Sequence, residues 1–462
     1  MGRTVVKFGG SNLKSKGDIA KLIAVLNSYT EPPVVVVSAM YGITDILRDS
    51  LLRIKDDEKE IANLIRNLRQ LNTAAAEEYI TDPAARAETV RRIDERIGEL
   101  KKYLKGVNFL RYIPEFTADV VLSYGERLSS LLLTAVLTHR KIACEEALPE
   151  NIGLLTDGRF GNATIDLADS EKGVREALSE RKIYIVPGFY GISLKGEITL
   201  LGRGGSDYSA ACIAACLGAD SVDLWKDVPG FMTADPKLVG NARTIAAISY
   251  TEAAELAYFG ARIIHPQTVE PLKPRGIPVR IFNIDDFDGA LHPCTVVGPA
   301  AVGTEEVIKS VTYSDDFGIL KLIGPGVGIK PGIMARATER LAEAGINIRS
   351  IITAQTTINI LLSRADLAKC REIQKLREIP SVDEVEFADD IAIIAVVGES
   401  MAVRPGIAGR IFGAIARATI NVRMISMGAS PVAAYFIVDG RDRDSAVRAI
   451  HEEFFGKNGK SH

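Results

Sequence analysis

At 462 residues the chain exceeds one ordinary hydrophobic core, so two to four domains are expected. Its 47% hydrophobic and 25% charged content is that of a soluble globular protein, and a net charge of −3 with a single Trp disfavours non-specific nucleic-acid binding. No apolar run reaches about 18 residues, which speaks against a membrane span, and MGRTVVKF shows no signal-peptide shape, so a cytoplasmic, reduced setting is expected.

In chain order, TVVKF (4–8) and VVVVS (34–38) read as buried strands around the helical period of DIAKLIAVLNSY. That β-α-β opening predicts a parallel sheet. Residues 50–105 are charged and helical, an insertion that shows charge to solvent. DVVLSYGERLSSLLLTAVL predicts a loop, with Glu126 after a strand-like run, and then a helix. KIYIVPGFYG and KGEITLLG predict strands. LGRGGSDYSAACIAACLGAD predicts a tight glycine loop and an Ala-rich helix, with Ser206 as N-cap and Gly218 as stop. SVDLWKDVPGFMTADP predicts a strand entering an irregular loop, and FGARIIHPQTVEPLKPRGIPVRIFN a short helix and a strand. The five cysteines form no CxxC pair, and Cys212 and Cys216 read as core thiols rather than a metal site.

Past Pro299 a repeat appears. PGIMARATERLAEAGINIRSI starts at Pro331 and PGIAGRIFGAIARATINVRMI at Pro405. Each copy lies in a β-α-β-β-α order, a ferredoxin-like α+β unit. GPGVGIKPG (324–332) imitates a phosphate loop but fails its spacing, and reads as a strand-to-helix turn. No Walker loop and no GxGxxG after the first strand occur, so P-loop and dinucleotide chemistries are poor readings.

Three glycine-rich or hydroxyl-bearing turns lie at strand ends, where open parallel sheets bind ligands. KFGGSN places Lys7 before Gly9-Gly10. SAMYGITD supplies Ser38 and Thr44. RGGSD supplies Arg203 at a helix start, where backbone amides attract anions. Arg203 and Glu126 together have the charges to grip both ends of an amino acid.

VVKFGGSN, VVVVSAM, LSYGERLSS, LGRGGSDYSAA, DVPGFMTADP and ELAYFGARIIHP, in this order, resemble the aspartate kinase family of the amino-acid-kinase superfold, and the repeat resembles that family's tandem regulatory ACT domains. The resemblance implies a three-layer α/β/α domain with a mostly parallel central sheet over 1–298. It implies a linker and strand over 299–313 contributed to the second ACT domain, a first ACT domain over 314–386 and a second over 387–462. It implies transfer of the ATP γ-phosphoryl to the L-aspartate side chain, the first step toward lysine, threonine and methionine. Mg²⁺ would arrive with ATP rather than on a protein metal site. Lys7 would stabilise the phosphoryl and Asp207 organise the site. Arg203 and Ser206 would bind the α-carboxylate and Glu126 the α-ammonium, with Ser38 and Thr44 lining the pocket. Phe8, Gly9, Gly10, Lys226, Asp227, Met232, Lys237 and Arg262 would join Lys7 on the nucleotide side. A lysine or threonine effector would use Asn347, Gln355 and Asn359 of the first ACT domain, and dimers or tetramers would form through these domains. No homoserine dehydrogenase extension is expected. The family commonly has Thr, Tyr, Thr and Arg where this chain has Lys226, Met232, Ala234 and Lys237. That drift keeps two alternatives in view, a changed nucleotide preference and a non-catalytic amino-acid sensor on a degenerate kinase. A third is a related acyl-phosphate kinase acting on glutamate or another amino acid.

Overall fold

The computed structural model describes residues 3–13, 16–261, 263–299, 307–399, 401 and 404–456. The chain divides into two compact units, Met1–Phe231 with Thr244–Ala257 and Arg262–Gly303, and Met232–Arg243 with Tyr258–Ala261 and Thr304–His462.

The first unit is built on an eight-stranded sheet. Its spatial order is Cys144–Glu146, Ile183–Pro187, Val34–Val37, Thr4–Phe8, Ser221–Lys226, Val279–Asn283, Thr295–Gly298, Ala247–Ser249. The pairings are parallel except that Thr295–Gly298 runs antiparallel to Val279–Asn283. Period-two alternation sorts the central strands. Val6, Phe8, Val35, Val37 and Trp225 enter one core with Leu22, Val25 and Leu133 from helices Lys16–Asn27 and Glu115–His139. Lys7 and Lys226 point the other way, toward helix Gly205–Leu217. Helices on both faces make the three-layer α/β/α architecture that the resemblance implies, around the mostly parallel sheet expected from the β-α-β opening.

The charged insertion forms helices Ile43–Ile54, Lys59–Tyr79 and Pro83–Leu110. They share one core, including Leu47, Leu68, Ile93 and Leu104, with helix Glu115–His139. Asp82 caps the longest of them, accepting from Ala85 N–H with Pro83 in the first turn.

One local expectation is corrected. DVVLSYGERLSSLLLTAVL is neither loop nor strand in part: it is one helix, Glu115–His139, and Glu126 sits mid-helix. That helix is also long and apolar enough to cross a bilayer by composition, but 89% of its apolar window is buried inside the protein. The strand expected in KGEITLLG forms at Ile198–Leu200 and pairs antiparallel with Tyr190–Ile192 in a separate two-stranded sheet.

In the second unit, the first repeat forms an antiparallel sheet ordered Ile348–Ala354, Thr357–Ser363, Phe317–Ile323, Glu384–Ala388. Helices Ile333–Glu343 and Arg364–Cys370 accompany it. The second sheet is Ser310–Ser314, Ile391–Val397, Ala433–Asp439, Met424–Met427, with helices Ile407–Arg417 and Arg443–Phe455. The two repeat helices start at corresponding residues, Ile333 and Ile407. GPGVGIKPG is the turn between a strand and the first of them. Residues 232–243 also belong to this unit: Val311 N–H donates to Thr233 C=O (2.9 Å), and Ala234 and Val239 enter the second repeat's core.

Strand Ser310–Ser314 supplies Val311, fully buried opposite Val396. Val311→Asp buries an unpaired carboxylate there and costs about 3 kcal/mol or more. The expected result is loss of amide-exchange protection in Ile391–Val397 with protection kept in Thr4–Phe8; unchanged protection in both refutes this account of the strand.

Candidate functional site

A cavity of about 720 Å³ opens in the first unit at the carboxyl ends of Thr4–Phe8 and Val34–Val37. Lys7, Ser38, Thr44, Glu126, Arg203, Ser206 and Asp207 all line it, so residues spread over two hundred positions of sequence converge on one space. Gly10 lines it as well, and a Cβ there would lie 2.8 Å from Ala39 C=O, so only glycine lets the first turn approach the Ser38 loop this closely.

The arginine loop is shaped by packing. Gly204 adopts φ 70° and caps helix Gly205–Leu217, so Ser206 is in the helix's first turn and is not its N-cap. A side chain at Gly204 would also collide with His265, whose Cβ would be 2.4 Å away. Backbone conformation and contact both require glycine, which leaves Arg203 exposed at the cavity with no ion-pair partner among the described residues. Gly218, as expected, ends the helix in a left-handed conformation.

On that helix's first turn, Asp207 is 5% exposed and holds two cations. Lys7 Nζ lies 2.6 Å from Oδ1 and Lys226 Nζ 2.8 Å from Oδ2. Burial alone would raise this carboxyl, but the charges of Lys226 and Lys7 prevail and hold it well below the usual range. The Lys7 ammonium is lowered, first by burial and further by Lys226, against the pull of Asp207.

Glu126 is the opposite case. It is 3% exposed, and burial pushes it up to about 8 despite the Ala39 N–H and the Lys7 charge. Its Oε2 has no hydrogen-bond partner among the described residues. An uncharged acid with an idle oxygen faces a cavity that also holds cations.

Phe8 does not bring its ring to the cavity. The ring is buried on the opposite face of the sheet, 6.4 Å from that of Trp225, and only its backbone borders the site, its C=O accepting from Ser38 N–H (3.2 Å). Gly9 does reach the site: a Cβ there would lie 3.6 Å from Lys7 Nζ. Asp227 follows Lys226 and is exposed. Met232 and Lys237 fall in the second unit, where Ser310 Oγ donates to Met232 C=O (2.8 Å) and Lys237 is exposed. Arg262 lies outside the described residues. Asn347 and Gln355 are exposed just beyond the two ends of strand Ile348–Ala354, and Asn359 faces Ile352 across the same sheet.

Sequence reasoning missed Asp119, whose carboxylate accepts from Gly161 and Leu200 N–H (both 2.8 Å) and so pins two cavity walls together. It also missed Phe189, a cavity residue held at φ 74°. A usable signal existed for the first. Glu115, Asp119, Leu122 and Glu126 fall on one helical face, which the segment hides when it is not read as a helix.

The amino acid kinase family matches residues 2–283, and ACT domains match 312–373 and 394–454. A bifunctional aspartokinase/homoserine dehydrogenase of Haemophilus influenzae is 32% identical over 371 residues, covering 79% of this chain and 45% of that protein. The chain spans about half the length of the first curated relatives it matches, at 45% and 56%. Among solved structures, E. coli aspartokinase III in complex with aspartate and ADP (R-state) superposes with a TM-score of 0.81 at 27% identity, covering 98% of this chain and all of that one. The same enzyme in complex with lysine and aspartate (T-state) gives 0.80 at 27% identity, covering 98% of this chain and 99% of that one.

The two buried carboxyls have opposite linkage to pH. Asp207 stabilises the fold above the ordinary carboxyl range and loses that contribution in acid. Native Glu126 keeps a proton up to about 8 that the unfolded chain releases near 4.5, so its burial costs stability increasingly as pH rises through that window. Glu126→Gln should therefore gain Tm over wild type by roughly 5 °C between about pH 5 and pH 8. A constant difference across that range refutes the raised carboxyl.

Proposed function

Because the chain belongs to the amino acid kinase family, we propose that it transfers the γ-phosphoryl of ATP to the side-chain carboxylate of L-aspartate, giving 4-phospho-L-aspartate. The observation that carries this reading is one cavity with a free guanidinium, an unpartnered buried glutamate oxygen and a buried lysine on its walls. An amino acid has a carboxylate for Arg203 and an ammonium for Glu126, which leaves its side chain to face Lys7. Ser206 assists Arg203 at the helix N-terminus, and Ser38 and Thr44 offer hydroxyls to the remaining polar atoms.

The chemistry needs no general base. An aspartate side chain is ionised near neutral pH and is already a nucleophile. One carboxylate oxygen forms the new bond to the γ-phosphorus while the bond from that phosphorus to the β–γ bridging oxygen breaks, and the electron pair leaves with ADP. The obstacle is repulsion between anions, so catalysis is positioning and electrostatic stabilisation. Lys7 is the cation at the transferring phosphoryl, and Asp207 holds its ammonium in place. Glu126 gives up its proton as the substrate ammonium enters and restores a countercharge. Mg²⁺ comes bound to the ATP phosphates as part of the substrate. Asp207 is already neutralised by two ammonium groups and is a poor ligand for a resident metal. Gly9, Gly10 and Asp227 keep the nucleotide-side assignment that the resemblance implies.

The two ACT domains make the enzyme responsive to an amino-acid end product, lysine or threonine, through Asn347, Gln355 and Asn359 of the first domain, with self-association through the same domains.

With ATP, Mg²⁺ and aspartate, hydroxylamine trapping should register acyl-phosphate formation. Lys7→Ala should lower kcat by about 10³-fold. Arg203→Ala should raise the aspartate KM roughly 10–100-fold with kcat within about threefold. Wild-type protein that leaves ATP intact with aspartate, or turnover of glutamate in preference to it, overturns the proposal.

Lysine or threonine should inhibit the wild type, and Gln355→Ala should lose that inhibition while keeping its uninhibited rate. A wild type indifferent to both amino acids defeats the effector assignment.

A further inference from the structure

Helix Glu115–His139 brings Asp119 and Glu126 to the same cavity, seven residues and so about 10 Å apart along one helical face. The reading above gives Glu126 the acceptor's ammonium. Asp119, 3% exposed, is turned to backbone instead: its Oδ2 accepts from both Leu200 N–H and Gly161 N–H, each at 2.8 Å. Leu200 ends strand Ile198–Leu200, three residues before Arg203. One edge of that strand pairs with Tyr190–Ile192. At the other edge Leu200 N–H donates to Asp119, and Leu200 C=O accepts from Ala163 N–H (2.7 Å). The loop that holds Gly161 and Ala163 also bears on the arginine loop. Gly202 has φ 72°, and a Cβ there would lie 2.5 Å from Asn162 Oδ1. Helix, loop and strand end therefore meet on a single carboxylate oxygen, and the strand end leads directly into the turn that carries Arg203. Hydrogen bonds to a buried carboxylate are short and strong, and losing this one would orphan two buried N–H groups.

We infer that Asp119 is a positioning residue for acceptor recognition, holding the Arg203 loop at a fixed distance from the Glu126 helix so that one amino acid meets both at once. This rests on the kinase reading above and deepens its acceptor site. Arg203 and Glu126 stand on separate elements. If their spacing fluctuates, binding must also order them, and affinity falls although both side chains remain. Asp119 acts through Arg203 and leaves Lys7, set separately by Asp207, where it is. Both of its bonds fall on the same oxygen, so the amide oxygen of an asparagine can accept both.

Calorimetric titration of the full chain with L-aspartate in the presence of MgADP tests this. Asp119→Ala should weaken aspartate binding at least tenfold and keep MgADP binding within about threefold of wild type. Asp119→Asn should stay within about threefold for both. In an Arg203→Ala background, Asp119→Ala should weaken aspartate binding by less than a further threefold, roughly the limit for two changes acting through one contact. Should Asp119→Ala not fold, Asp119→Leu takes its place. A carboxylate that only braces the fold would lower Tm when replaced but leave aspartate affinity within threefold of wild type, and that result overturns the assignment. Equal losses in Asp119→Asn and Asp119→Ala overturn it as well, because they make the charge the cause rather than the two bonds. Wild-type protein that binds aspartate yet leaves ATP intact would defeat phosphoryl transfer and leave this positioning role standing.

Discussion

A buried carboxylate between two lysines fixes the arrangement of charged side chains at the first unit's cavity. Asp207 pairs with Lys7 through one oxygen and with Lys226 through the other, at the ends of neighbouring parallel strands. Each partner explains the others' burial: an unpaired ion in such a place would carry a large desolvation penalty. The arrangement also depends on backbone. Asp207 is in the first turn of helix Gly205–Leu217, that helix starts at a left-handed glycine, and the glycine is left-handed where it passes against His265. The loop that presents Arg203 and the turn that presents Asp207 are therefore one structural feature.

The cavity contrasts two carboxyls of the same protein. Asp207 has cations on both oxygens and stays ionised. Glu126 has backbone N–H groups and a distant lysine charge, which do not offset its burial, and it keeps a proton near neutral pH. Within one cavity the Lys7–Asp207 ion pair thus keeps its charges while burial holds the Glu126 carboxyl up to about 8. Under the proposed function an amino acid brings a cation for Glu126 and a carboxylate for Arg203, so the walls would discriminate by where charge is missing as much as by where it is present.

The second unit repeats one α+β pattern, yet its second copy borrows strand Ser310–Ser314 from before the first. Residues 232–243, which follow closely on Lys226 in sequence, are bonded into that second copy through Thr233, whose hydroxyl meets His451 at 3.0 Å. The segment is therefore part of the repeat unit's packing, although its position in the chain falls within the span of the kinase family match.

Five of the eight central strands (Thr4–Phe8, Val34–Val37, Ile183–Pro187, Ser221–Lys226 and Val279–Asn283), the Ala-rich helix after the arginine loop and the tandem repeat were legible in the sequence, because apolar runs, glycine stops and duplicated Pro-Gly-Ile segments are local signals. The motifs that carry Lys7, Ser38, Arg203 and Asp207 were equally legible. Of helix Glu115–His139 only the later part was read as helix, since a largely buried helix carries apolar residues on most sides and loses the periodicity that marks an amphipathic one. Asp119 was hidden with it. The pairing of Lys226 with Asp207 lay beyond any local pattern. The two residues are 19 apart in sequence, and only the register of adjacent strands and the helix packed across them decides that one carboxylate meets both lysines. The chain's own order thus determined which chemical groups were available, and tertiary packing decided which stand together, because ionisation and reach depend on neighbours that sequence distance does not specify.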